Sequence, residues 1–196
     1  MTTLSLEEKQ QYIWDSEQEL ARQLALQVLD KPTPPIWMIF IPIFFVFYAW
    51  KLKQYTSGLK SFADHYLVSR RRALEASIEA QQRNKTVDIE ALLGKADSLP
   101  DQVKPLYRQW MILLTGHYAA LLTARGSNHA ALVRSGYHSK SNYLLFCNRL
   151  SQAEHAFNLA LLPQIEGQSE DLRAITEKME AESRALRRQE SDLIFA

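Results

Sequence analysis

A chain of 196 residues in which 46% of the side chains are hydrophobic and 23% charged can bury one sizeable core, which excludes a wholly disordered protein. A formal net charge of +1 excludes a global pull toward nucleic acid, and the single cysteine, Cys147, excludes an internal disulfide. The small total hides a pattern: residues 1–35 carry 6 acidic and 3 basic side chains, 51–85 carry 3 and 8, and 166–196 carry 8 and 5, so two acidic ends flank a basic middle that they complement.

The first predicted element is a helix within residues 1–31. Ser5 and Glu8 stand at capping-box spacing, and Ile13, Leu20, Leu24 and Val28 form one stripe flanked by Trp14, Ala21 and Leu29. Such a stripe needs a partner.

From Pro32 to Trp50 there follow 19 consecutive uncharged residues. As a helix they would rise about 28 Å, and the apolar stretch Ile36–Trp50 about 22 Å, against a hydrocarbon layer about 30 Å thick. The run has no polar stripe, and Ile36, Trp37, Phe40, Phe44, Phe45 and Phe47 cover every helical face. Trp37 at one end, Tyr48 and Trp50 at the other, and Lys51 and Lys53 beyond are placed as residues at a membrane interface are placed. Residues 32–50 are therefore expected to attach to the lipid bilayer. Pro42 near the middle suits a bent span or a re-entrant pair of arms, and both topologies stay open. The run is not expected to be part of a cleavable leader, because the stretch before it is polar and acidic and Lys51 and Lys53 follow it where small residues of a cleavage site would stand.

Residues 51–85 continue as a long basic helix on the repeat Leu52, Tyr55, Leu59, Phe62, Tyr66, Ala73 and Ala76, and Arg70, Arg71 and Arg72 read as a solvated face. A short helix opened by Thr86 and closed at Gly94 precedes a connection through Pro100 and Pro105. Leu106–Ala124 is the expected central core helix, carrying Trp110, Leu113, Leu114, Tyr118, Leu121 and Leu122. A Gly/Ser/His-rich connector holds His129 and His138 around another short helix. The helix from Tyr143 to about Leu162 is expected to bury Tyr143, Phe146, Leu150, Phe157 and Leu161, with Cys147 as a small core residue and Pro163 at its end. In the tail, 165–193, Ile165, Leu172, Met179, Leu186 and Leu193 fall seven apart, a heptad-like stripe for packing on the bundle or for self-association. Its neighbouring positions, Glu182 and Gln189 or Ser183 and Glu190, are polar.

A search for chemistry finds no catalytic motif. Ser57 and Lys60 match SxxK without the elements that accompany it, Cys147 and His155 are about 12 Å apart by helical rise, and no ExxH, CxxC or calcium-loop pattern occurs. No catalytic residue, metal or cofactor is expected. The fold class expected is all-α: a helical bundle, 51–196, with long amphipathic helices and one hydrophobic membrane-attachment helix, spanning or re-entrant. The role expected is a non-enzymatic adaptor, scaffold or accessory subunit at the membrane, its bulk cytoplasmic, with a protein partner or a second copy of itself. Two alternatives stand beside it: a membrane-bound enzyme acting on a lipid or isoprenoid, using Ser57, Lys60, Asp64, His65 and Arg70, and a soluble helical subunit burying residues 36–50 against a partner.

Overall fold

The computed structural model describes residues 4–31, 43–94, 96, 99–164 and 169–196, with side chains throughout except those of 43–51, 164 and 169–172. The chain is all-helical: α1 Leu6–Val28, α2 Ile43–Gln82, α3 Ile89–Gly94, α4 Lys104–Thr123, α5 His129–Tyr137, α6 Lys140–Leu161 followed by a 3-10 turn at Leu162–Gln164, and α7 Ser169–Ile194. No strand occurs among the described residues.

Local chemistry sets the helix ends. At α1 the Ser5 hydroxyl accepts from the Glu8 amide at 3.2 Å while the Ser5 amide donates to Glu8 Oε2 at 2.7 Å, the capping box read from the sequence. The α3 cap is Asp88, whose Oδ1 accepts from the Ala91 amide at 3.0 Å, and not Thr86, which stands two residues too early to reach that amide. Asn128 and Ser139 cap α5 and α6 in the same way, and His138 between them takes the left-handed conformation at φ 61° that stops α5.

Five long helices make the bundle. Glu17 meets Arg70, and Leu29 Cδ1 lies 3.8 Å from where a Cβ on Gly58 would stand, so α1 runs antiparallel to α2 and ends level with Gly58. Trp110 shares a cavity wall with Tyr66 and the Thr115 carbonyl accepts from Ser77, so α4 runs with α2. Phe157 packs on Tyr107 and Trp110 while Phe146 stacks on His117, which sets α6 antiparallel to α4. The pairs Glu180 with Asn158 and Arg187 with Ser151 turn α7 back along α6, and Ser16 with Glu190 and Lys178 with Asp30 lay it antiparallel to α1.

Helix α4 is the axis. Tyr107, Met111, Leu114, Tyr118 and Leu121 recur at three- and four-residue steps and are buried, with Trp110 and Leu122 beside them. Each such large side chain contributes about 1.5–3 kcal/mol by leaving water. A second, smaller cluster of Leu24, Val28 and Leu186, with Leu20, Phe62, Tyr66 and Met179, closes the end where α1 stops.

Two expectations change here. The Arg70–Arg72 face is not solvated throughout: Arg70 is 1% exposed, one of the most deeply buried side chains, because its row on α2 continues the stripe of Tyr66 and Ala73. The α7 stripe is also not the centre of what α7 buries. Glu180, Ser183, Arg187, Ser191 and Ile194 share the inner face; Met179 and Leu186 border it, and Leu193 is 73% exposed. A straight helix drifts about 20° per heptad relative to a seven-residue repeat, so the row slides from the edge of the contact into solvent and Ile194 takes the inner place. Ile165 lies outside the described residues, as does the Leu172 side chain.

Because α1 lies along α2, α4 and α7, the chain on both sides of residues 32–42 belongs to one bundle. A single crossing that leaves α1 on the opposite face of a membrane is incompatible with that packing. Ile36, Trp37, Phe40 and Pro42 fall outside the described residues; Phe44, Phe45, Phe47, Tyr48, Trp50 and Lys51 lie on the first two turns and more of α2, and Lys53 is exposed on the same helix. Among the described residues, no helix is long and apolar enough to cross a membrane.

Candidate functional site

Four charged side chains from four helices meet inside the bundle. Arg70 of α2 donates from Nε to Glu17 of α1 at 2.9 Å and from an NH2 nitrogen to Glu154 of α6 at 2.6 Å, and its guanidinium lies 4.2 Å from the Tyr66 ring centre. Arg187 of α7 grips both oxygens of Glu154 at 2.9 and 3.1 Å and donates to the Ser151 hydroxyl at 3.1 Å. The Tyr118 hydroxyl of α4 donates to the other oxygen of Glu17 at 2.7 Å. Two guanidinia against two carboxylates leave no net charge in the core. Burial alone pushes the Glu154 carboxyl up, but Arg187 and Arg70 outweigh it and hold the group down at about 2.

A second polar group adjoins the first. Glu190 of α7 accepts from the Tyr143 hydroxyl at 3.0 Å and from Ser16 at 3.4 Å, with His129 Nδ1 3.6 Å away. His117, stacked on Phe146 at 4.4 Å, has Nδ1 2.7 Å from the Tyr137 hydroxyl. Burial depresses the pKa of His117 well below the usual range, and His129 and Arg187 push the same way. Burial lowers His129 as well, against the pull of Glu190. A cavity of about 30 Å³ lies between the two groups, the size of about one water molecule, and Arg70 has one NH1 nitrogen without a partner among the described residues.

Nearer the end where α1 stops, a cleft of about 280 Å³ opens between α2, α4, α6 and α7. Phe62, Tyr66, Trp110 and Met179 supply its apolar wall, and His65, Glu154, Asn158, Glu180 and Ser183 its polar side. Glu180 accepts from His155 at 2.6 Å and from Asn158 at 3.2 Å. No family model, curated protein or solved structure matches this chain.

The residues named for an enzyme on α2 do not converge. Ser57, Lys60 and Asp64 are exposed, His65 lies 3.5 Å from Ser61 on its own helix, and Arg70 is enclosed in the ionic group. Among the described residues no cluster of three or more metal-ligating side chains occurs. Cys147 is buried, and burial pushes its thiol up to about 11, which suits a packing residue. What α7 contributes to the ionic group is a cation, Arg187, and the two carboxylates that pair with the α2 cation Arg70 come from α1 and α6.

The ionic group left a signal in the sequence. Three of its four members interrupt an apolar row: Glu17 between Ile13 and Leu20, Arg70 between Tyr66 and Ala73, Glu154 between Leu150 and Phe157; Arg187, between Ser183 and Glu190, does not. A charge in that position, four residues after one core side chain and three before the next, shares the buried face and requires an internal partner.

Proposed function

We propose that the chain is a non-enzymatic helical adaptor or accessory subunit held on a membrane by its apolar run, with the bundle presented on the cytoplasmic face. The supporting observation is the overhang of α2. Residues 43–57 continue past the level at which α1 ends, about 22 Å of helix by rise, and the leading eight, Ile43–Trp50, are apolar or aromatic on every face. In the sequence they follow the uncharged stretch 32–42, so the described end of α2 that extends past α1 is the most apolar part of that helix. With α1 packed on the body, the membrane reading takes the re-entrant form, in which the run dips into one leaflet and returns, and Lys51 and Lys53 lie where headgroup phosphates would be met.

The test is fractionation of the full-length protein beside a version lacking residues 35–50, with alkaline carbonate and high-salt washes and accessible tags on both termini. The reading requires the intact protein to resist both washes, the deletion to become soluble and folded, and both tags to be digested from the same side. Release of the intact protein by carbonate as a folded species overturns membrane attachment and makes the run a protein interface. Protection of the N-terminal tag alone overturns the re-entrant form.

A further inference from the structure

A second cleft, of about 370 Å³, runs between α6 and α7, and its size falls within the usual range for ligand pockets of about 300–1,000 Å³. Its polar lining consists of Asn148 and Ser151 from α6 and Arg184, Arg187 and Arg188 from α7; among the described residues no carboxylate lines it. Arg184 and Arg188 stand four residues apart on one face of α7, and both are exposed. Neither has an ion-pair partner among the described residues, so their guanidinia are free to turn toward whatever enters.

The carboxylates nearest along the two helices do not offset them. Glu180, four residues before Arg184, is engaged by His155 and Asn158; Asp192, four after Arg188, pairs with Lys140 at 3.0 Å; and Glu154 is held by Arg70 and Arg187. The α6 side of the cleft adds donors. The Ser151 hydroxyl oxygen accepts from Arg187 at 3.1 Å, which leaves its own hydrogen to give, and the exposed Asn148 amide has no hydrogen-bond partner among the described residues. Leu144 and Cys147 supply an apolar patch beside these groups. The cleft therefore offers two unpaired cations, a hydroxyl and an amide, with carbon and sulfur next to them.

We infer that the cleft between α6 and α7 binds the phosphate of a small phosphate monoester, whose organic part lies against Leu144 and Cys147. Planar guanidinia match phosphate oxygens two at a time, and a dianion balances two arginines where a monoanion would leave one over. The cleft belongs to the body of the bundle, so the inference does not rest on membrane attachment.

The experiment is isothermal titration of the full-length chain in a non-ionic detergent at about pH 7.5, where a phosphate monoester carries close to two charges. The probes are phenyl phosphate, inorganic phosphate, benzenesulfonate and phenol. Phenyl phosphate should bind most tightly, phenol not at all, and added potassium chloride should weaken the binding. Arg184→Gln and Arg188→Gln should each weaken phenyl phosphate about tenfold, the worth of one charge-assisted hydrogen bond, and should leave the melting temperature without ligand unchanged, because both side chains are exposed. If either variant melts early, Arg188→Lys, which keeps the charge and loses the fork, carries the same comparison with a smaller loss. Phosphatidylcholine vesicles with and without phosphatidate separate a lipid headgroup from a soluble ester. Capture on phosphatidate through Arg184 and Arg188 without binding of phenyl phosphate in solution overturns the inference. Equal binding of phenol and phenyl phosphate, an affinity unmoved by the double replacement, or no binding of either phosphate does so as well.

Discussion

At the scale of single residues the ionic group is where the fold is most vulnerable. Removing one partner from a buried charge pair leaves an uncompensated ion and costs about 3–5 kcal/mol. Glu154 serves two guanidinia at once, so Glu154→Gln should lower the unfolding free energy by about that amount in urea titrations at neutral pH. Glu19→Gln removes a carboxylate that pairs with Arg22 in solvent and should leave stability nearly unchanged, although Arg22 holds that carboxyl down at about 2 as well. The two depressed carboxylates thus predict opposite outcomes, because only one of them is out of water.

The same residues set the response to acid. The folded-state pKa values of His117 and His129 lie below the unfolded value of about 6.5, so below that pH the unfolded chain binds more protons. Stability should therefore be greatest above about pH 6.5 and fall as the pH drops through that value, each histidine adding at most about 1.4 kcal/mol per pH unit. Glu154 adds its loss only lower, between the unfolded carboxylate value of about 4.3 and its folded value of about 2. Denaturation midpoints at pH 7.5, 6.5 and 5.5 measure the first slope, and the double replacement His117→Gln, His129→Gln should flatten it. A slope unchanged by that replacement would assign the acid response to other groups.

At the scale of elements, α7 shows what periodicity can and cannot reveal. The seven-residue row of Met179, Leu186 and Leu193 is plain in the sequence, but the face that α7 buries is centred on Glu180, Ser183 and Arg187, whose polarity reads as solvent exposure until their partners are known. Leu186→Ala should cost about 2–5 kcal/mol and Leu193→Ala almost nothing, read from the same urea titrations. A dimer seam along the whole row would make both substitutions weaken self-association, which sedimentation at several concentrations would detect. The other helices were legible because their rows are apolar: α1 with its capping box, α4 with five core residues in phase, and α6 ending before Pro163. Helix direction and the four-way meeting of Glu17, Arg70, Glu154 and Arg187 were not, because they depend on contacts between residues 33 to 84 positions apart. The cleft is likewise built from four helices, and no local pattern marks Trp110 as its wall.

At the scale of the whole molecule, the two termini and the apolar tip occupy opposite ends. Lys9 near the start of α1 donates to the Leu122 carbonyl at the end of α4, and Arg134 of α5 donates to the Ile194 carbonyl at the end of α7, so the first and last helices are secured where α4 finishes. The projecting part of α2 leaves the bundle at the other end, past Leu29 and Gly58. Removing residues 35–50 should consequently leave the fold of the body intact, with a melting temperature close to that of the full chain and the same near-ultraviolet signal from its buried aromatic residues. A deletion that unfolds the body would mean that the run is part of its core.

The seating of α1 between α2 and α7 also fixes an order of events. During synthesis at about 5–20 residues per second, roughly 7 to 30 s separate the addition of Trp50 from that of Ala196. Throughout most of that interval α1 lacks the helix that covers its Ser16 side, and Arg70 lacks the carboxylate of Glu154. The apolar run is made while the nascent chain cannot yet enclose anything. A bilayer or a chaperone that meets the run within that interval meets it before the bundle has closed.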